Sequence, residues 1–288
     1  MSSLLVFGYG YTARYFVGAV QTDFKTFYGT TRRSHPKSEG QVTLLRFDGV
    51  DVDPVLHEAV LNAHAVLVSI PPDERGDPVL DAFSDLLAAN KQVRWIGYLS
   101  SVGVYGDHQG AWVDEHAPLY PQNEQSKRRV EAEQSWLDWG QETGVPVHIF
   151  RLAGIYGPGQ NALINLKQGT AKRIMKDGQI FNRIHVEDIA TILRASLHHP
   201  DPEAIYNVCD DEPSPAHEVV TYAAEKLGVP VPPAVPFEKA ALSPMALRFY
   251  SENKRVSNAL IKQDLGVELA YPTYRHGIDA LLKAGEGR

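Results

Sequence analysis

Cysteine is nearly absent from this chain of 288 residues, with Cys209 the single one. It has no internal partner, so no disulfide staples the fold, and such usage fits a reducing compartment. No apolar run approaches the roughly 20 residues that a membrane-spanning helix needs. No basic, apolar leader opens the chain. The expectation is a cytoplasmic protein without a membrane partner. Basic excess is missing too. The formal net charge is -7, which excludes the broad basic face of a nucleic-acid binder. The eleven histidines are scattered, and His198 and His199 sit at a helix end, where they favour its dipole. Asp114 and Glu115 offer too few converging ligands for a metal, so no metal is expected. Internal repeats and low-complexity segments are lacking as well.

What is present begins at once. Leu4, Leu5, Val6 and Phe7 form a continuous apolar run. Gly8, Gly10 and Ala13 follow at G-x-G-x-x-A spacing, and Ala13, Phe16, Val17 and Val20 then recur at helical spacing. This reads as strand, tight turn, helix, the context that gives a glycine fingerprint meaning. Gly8 makes the turn, Gly10 lets the backbone approach a pyrophosphate, and Ala13 lets helix and strand pack closely. The N–H groups opening the helix, from Tyr11 and Thr12 onward, face the phosphates where the helix dipole favours negative charge.

A second strand is expected in KTFYGTTRR, Lys25 to Arg33. In dinucleotide-binding folds a carboxylate at this strand's end accepts bonds from the adenosine ribose and repels a 2′-phosphate. Here Thr30, Thr31, Arg32 and Arg33 stand instead. Arginine offers a planar fork matched to phosphate oxygens. The expected cofactor is therefore NADP, with NAD a second possibility, and Arg32 is the main contact with Arg33 beside it. VTLLRFDG is a third strand whose Asp48 either accepts from an adenine amino group or starts a turn. AVLVSIPP is a fourth, apolar on both faces as inside a parallel sheet; its end at Ser69, Ile70 and Pro71 lies by the crevice. RWIGYLSS, ending at Ser101, is the fifth. Strands and helices alternate, so the fold class is α/β with a Rossmann-like, doubly wound parallel sheet.

Six segments in order carry a resemblance: GYGYTA, LSSVGVYG, the VDE–P–K stretch after it, FRLAGIYGPG, RIHVEDIA and YNVCDDE. With the ending KRVSNALIKQDLGVELAYPTYRHGI, they cover almost the whole chain. The sequence resembles the extended or atypical short-chain dehydrogenase/reductases, the superfamily of NAD-dependent epimerases and dehydratases. The resemblance implies that Ser101, four before Tyr105, orients a substrate carbonyl. It implies that Lys127 holds the nicotinamide ribose, and that Ala153, Gly154 and Ile155 touch the nicotinamide. It also implies a possible homodimer through the helix carrying Lys127, and a Rossmann domain of residues 1–157 completed by 183–205. Residues 158–182 and 206–288 would form a small, mainly helical substrate lid, with 162–179 a basic helical insertion.

One position departs from the family. Its catalytic tyrosine stands four residues before the lysine, and Asn123 occupies that place. An amide hydrogen-bonds but does not shuttle a proton. Tyr105, Tyr156, Tyr120 and His185 are the candidate replacements within the motifs; the alternatives are a reaction that needs only a polarised carbonyl and water, or NADP binding without turnover. Two functions remain open: an NADP(H)-dependent oxidoreductase or epimerase at a carbonyl or hydroxyl carbon, and a non-catalytic NADPH-binding regulator or scaffold.

Overall fold

The computed structural model describes residues 2–34, 36–199 and 201–287. Its first half alternates as the apolar pattern predicts: β1 (Ser3–Phe7), α1 (Tyr11–Ala19), β2 (Thr26–Thr31), β3 (Val42–Arg46), α2 (Pro54–Leu61), β4 (Ala65–Val68), α3 (Pro78–Ala89) and β5 (Trp95–Ser101). Then come β6 (Trp112–Val113), α4 (Glu124–Thr143), β7 (Val147–Leu152) and β8 (Gly154–Tyr156). The second half holds α5 (Ala162–Lys167), β9 (Arg173–Met175), β10 (Arg183–His185), α6 (Val186–Leu197), β11 (Glu203–Val208) and α7 (Ala216–Leu227). It ends in β12 (Ala234–Pro236), α8 (Pro244–Ser251), β13 (Arg255–Val256), α9 (Ala259–Gln263) and α10 (Tyr274–Lys283).

Seven strands form one sheet in the order β11-β7-β5-β4-β1-β2-β3, every pairing parallel. The order reverses between β1 and β4. That is the switch point where such sheets open a crevice beyond their carboxyl ends. Side chains alternate along each strand. Leu4 and Val6 join Phe16, Ile189 and Leu193 in the core under α1 and α6. Leu5 and Phe7 join Phe83, Leu87 and Trp136 under α2, α3 and α4. Each fully buried side chain of this kind contributes about 1.5–3 kcal/mol. A third, smaller cluster of Leu163, Ala223, Tyr274, Ile278 and Leu281 packs α5, α7 and α10 together.

Local chemistry sets the helix ends. Asp77 caps α3 by accepting from the N–H groups of Val79 and Leu80, with Pro78 at the first helical position. Asn123 caps α4 by accepting from Ser126 N–H at 3.0 Å. Gly144, at φ +73°, ends that helix in the left-handed conformation. The helix buries Trp136, Leu137 and Trp139 against its own sheet, while Gln134, Ser135 and Asp138 face solvent.

The second half of the chain departs from expectation in two places. Strand β11 runs to Val208, and Tyr206 is fully buried in the main core. The sheet is thus completed by residues to 208, three beyond the boundary expected. The basic insertion is helical only over Ala162–Lys167. Gly169, at φ +67°, follows the helix end, and Arg173–Met175 pairs in parallel with Ala234–Pro236 of the proline-rich stretch. A two-stranded edge tolerates prolines there. Lys172 Nζ donates to Ala241 O and Lys176 Nζ to Tyr250 O, so these two bases tie this segment to the carboxyl-terminal one. Among the described residues, no helix is long and apolar enough to cross a membrane.

Candidate functional site

The crevice opens at the turn after β1. Gly8 adopts φ +86°, and an added Cβ would lie 2.8 Å from Ile70 Cγ2 and 3.2 Å from Ile70 N. The turn therefore requires glycine, and its close approach places Ser69 and Ile70 on the crevice wall. Pro71 follows them and is exposed. Gly8 N–H donates to Thr30 Oγ1 at 2.8 Å, which locks the turn to β2. Gly10 has an ordinary backbone conformation and caps α1 with no side-chain bond and no acid in the first turn. An added Cβ there would meet only Gly8 O, at 3.9 Å. The helix thus opens on unblocked N–H groups at Tyr11, Thr12 and Ala13, beside a space that any side chain on residue 10 would enter. Such an end suits an anion. Tyr11 turns its hydroxyl away, donating to Pro158 O at 3.0 Å. Thr12 and Ala13 are buried under the helix.

At the far side, β2 ends at Thr31, whose Oγ1 accepts from Arg33 N–H at 3.4 Å. Arg32 and Arg33 are exposed, and no ion pair holds either among the described residues. Asp48 is a turn former. Its Oδ1 accepts from Val50 and Asp51 N–H, and its Oδ2 from Arg46. That is the commoner of the two uses expected for it.

The catalytic expectations fare unevenly. Ser101 lines a cleft of about 490 Å³ together with Ala153, Gly154 and Ile155. Its Oγ accepts from Gly103 N–H at 3.1 Å. Gly103 separates two hydroxyls: an added Cβ would lie 3.4 Å from Ser101 Oγ and 3.3 Å from Ser126 Oγ. Asn123 lines the same cleft, although its Oδ1 is spent on the helix cap.

Lys127 does not reach the cleft. It is exposed, and its Nζ pairs with Glu124 at 2.7 Å. The cause is helical phase. With the cap at Asn123, the inward face of α4 falls on Ser126, Glu133, Trp136 and Gly140. The pair four residues apart that does line the cleft is Gln125 and Arg129. Arg129 donates through Nη1 to Leu99 O at 3.0 Å. Sequence reasoning missed Arg129. The recurrence of small and apolar residues at 126, 130 and 136–137 was available, but Glu133 on that stripe disguised it.

Tyr105 is likewise removed from the cleft. It is fully buried, donates to Asn207 Oδ1 at 2.7 Å and accepts from Arg151 Nη1 at 2.9 Å. Burial pushes its phenol up to about 12, so it stays protonated. It belongs to a buried network. Arg151 pairs with Glu133 at 2.8 Å, both side chains 4% exposed; Ser100 donates to Glu133; and Glu115 accepts from Asn207 N–H at 2.8 Å. Tyr120 is exposed and lies against His108, with ring centroids 5.3 Å apart. Tyr156 lines a separate cleft among α5, α7 and α10, with burial raising its pKa well above the phenol range.

His185 caps α6, its Nδ1 accepting from Glu187 N–H at 3.3 Å. Burial lowers its pKa from 6.5 to about 4. It is neutral at pH 7 and structural. The folded value lies below the unfolded one, so its contribution is complete above pH 6.5 and is lost as pH falls through 4. Unfolding by urea at pH 7 and pH 4.5 should show this loss, on the order of 1–2 kcal/mol. In His185→Asn, which keeps a capping oxygen, the acid loss should shrink by that amount. Asp188 accepts from the N–H groups of Ala270 and Tyr271, pinning the segment before α10.

The ionisable groups lining the Ser101 cleft are Arg129, Arg248, Glu252 and Lys254. Lys254 is buried, donates to Gly106 O at 2.7 Å and pairs with Glu252 at 2.7 Å. Burial lowers its pKa. Among the described residues, no tyrosine or histidine lines the cleft.

Comparison with known proteins places this architecture. A conserved protein of unknown function from Silicibacter pomeroyi DSS is 48% identical, with a TM-score of 0.88 over 99% of this chain and 100% of that one. Protein YeeZ of Escherichia coli (strain K12) is 30% identical over 225 residues, 75% of this chain and 74% of that protein. A GDP-6-deoxy-D-mannose reductase of Pseudomonas aeruginosa is 27% identical over 199 residues, 61% of this chain and 65% of the reductase. The sequence profile of the NAD dependent epimerase/dehydratase family matches residues 5–209, from β1 to the end of the main sheet. The chain belongs to the NAD dependent epimerase/dehydratase family.

Proposed function

We propose that this protein binds NADP(H) across the switch point and acts as an oxidoreductase or epimerase on a carbonyl or hydroxyl carbon held in the Ser101 cleft. The observation that carries the reading is the open, uncapped start of α1 at Gly10, combined with exposed Arg32 where an NAD-selecting carboxylate would stand. The residues fit the cofactor. Tyr11, Thr12 and Ala13 N–H groups would hold the pyrophosphate, Arg32 with Arg33 the 2′-phosphate, and Ala153 to Ile155 the nicotinamide. The nicotinamide, when bound, gives or takes a hydride. Ser101 then polarises the substrate oxygen by hydrogen bonding. Lys254, whose pKa burial lowers, or water would carry the proton that Asn123 does not.

Titrating NADPH and NADH by fluorescence tests the cofactor assignment. Wild type should bind NADPH about tenfold or more tighter than NADH. Arg32→Ala should erase that preference and leave NADH binding unchanged. Equal affinities in the wild type would remove the NADP assignment.

A second reading has its own support. With no tyrosine or histidine lining the cleft among the described residues, the chain would hold NADPH as a regulator or scaffold without turnover. NADPH oxidation across a panel of aldehydes, ketones and sugars, abolished by Ser101→Ala, would decide for the enzyme. No turnover on a broad panel would decide for the regulator.

A further inference from the structure

Two arginines face the Ser101 cleft from different walls, Arg129 on α4 and Arg248 on α8. Each has a neutral acceptor. Arg129 gives Nη1 to Leu99 O, and Arg248 gives Nη1 to Gln125 Oε1 at 3.1 Å. The carboxylate lining the same cleft, Glu252, is already paired with Lys254, and both those side chains are largely buried. The cleft therefore carries three cations against one carboxylate, in a chain whose net charge is -7. Two guanidinium groups without a carboxylate partner are a site for an acidic ligand.

The same cleft has an apolar wall. Met245 and Phe249 lie one turn apart on α8 and line it while 67% and 63% exposed. Ile180 and Phe181 line it too. Large apolar side chains left open beside a cleft mark a surface that a ligand covers. A volume near 490 Å³ suits a small molecule.

We infer that the ligand of this cleft is an amphipathic acid. Its carboxylate or phosphate monoester lies between Arg129 and Arg248, and its apolar body rests on Met245 and Phe249. The reactive carbonyl or hydroxyl carbon then lies toward Ser101. Only that last placement rests on the cofactor reading above; the acid site stands without it.

Calorimetric titration tests this with aromatic probes of one shape: benzaldehyde, para-carboxybenzaldehyde, phenyl phosphate and para-trimethylammonio benzaldehyde, with UDP-glucose alongside. Each is run with and without NADPH. The acidic probes should bind about tenfold or more tighter than the neutral and cationic ones. Comparing para-carboxybenzaldehyde with phenyl phosphate tells which acid is preferred. The advantage should vanish in Arg248→Gln and shrink as salt rises, while NADPH affinity and Tm stay at wild-type values. Binding that ignores charge, an acid preference that survives Arg248→Gln, or no binding of any probe would overturn the inference. So would tighter binding of UDP-glucose than of phenyl phosphate. Acid binding in a protein that fails to take up NADPH would remove the cofactor reading and keep this one.

Discussion

Replacing Gly10 with valine should lower NADPH affinity by about a hundredfold or more while the protein stays folded. The pyrophosphate would bond to at least two N–H groups at the start of α1, each charge-assisted bond worth roughly 1.5–3 kcal/mol. A side chain on residue 10 enters the space that the phosphates need. The backbone has room for the added Cβ, whose nearest atom outside the neighbouring residues is Gly8 O at 3.9 Å. The cost to folding is limited to the poorer cap, about 1 kcal/mol. Gly8→Val should do the reverse. At φ +86°, with Ile70 Cγ2 only 2.8 Å from an added Cβ, the substitution strains the backbone by about 1–3 kcal/mol and pushes β1 from β4. Tm and NADPH titration, measured on both variants, separate the two effects. Retained affinity in a folded Gly10→Val protein would place the phosphates somewhere else.

Glu133→Ala should be the most destabilising single change near the cleft. It leaves Arg151, 3% exposed, as a buried charge without its counter-ion, and leaves Ser100 without its acceptor. Breaking one partner of such a pair costs about 3–5 kcal/mol, which for a chain of this size lowers Tm by roughly 10 °C. Glu133→Gln, which keeps two polar atoms in place, should cost less. The double change Glu133→Leu with Arg151→Met should recover much of the loss, since it removes both charges together. Calorimetry on the wild type, Glu133→Leu, Arg151→Met and the double variant gives the coupling. Additive losses in the double variant would mean that the pair is not coupled.

The parts of the site that were legible before the structure are those fixed by backbone requirements. Gly8 needs a positive φ and close packing, Gly10 needs open space, and the strand-turn-helix around them is short-range. The parallel, doubly wound sheet follows from β-α alternation, and Ser101 falls at a strand end by the same logic. Lys127 was misread because spacing from a motif does not set helical phase; the cap at Asn123 does. Tyr105 was ambiguous because its role depends on Arg151 and Asn207, more than 40 residues away in the chain. The cleft's far wall was illegible for a similar reason. Arg248 and Glu252 reach it from a stretch that carries none of the family motifs, and Lys254 from the start of the carboxyl-terminal one, brought in by contacts such as Asn253 N–H to Asp107 Oδ1 at 2.8 Å.

A crystal structure grown with NADPH tests the central claim most directly. The pyrophosphate should lie on the N–H groups of Tyr11 and Thr12, the 2′-phosphate on Arg32, and the nicotinamide ring beside Ala153 in the cleft with Ser101. A pyrophosphate bound away from Gly10, or a nicotinamide outside the Ser101 cleft, would contradict the account.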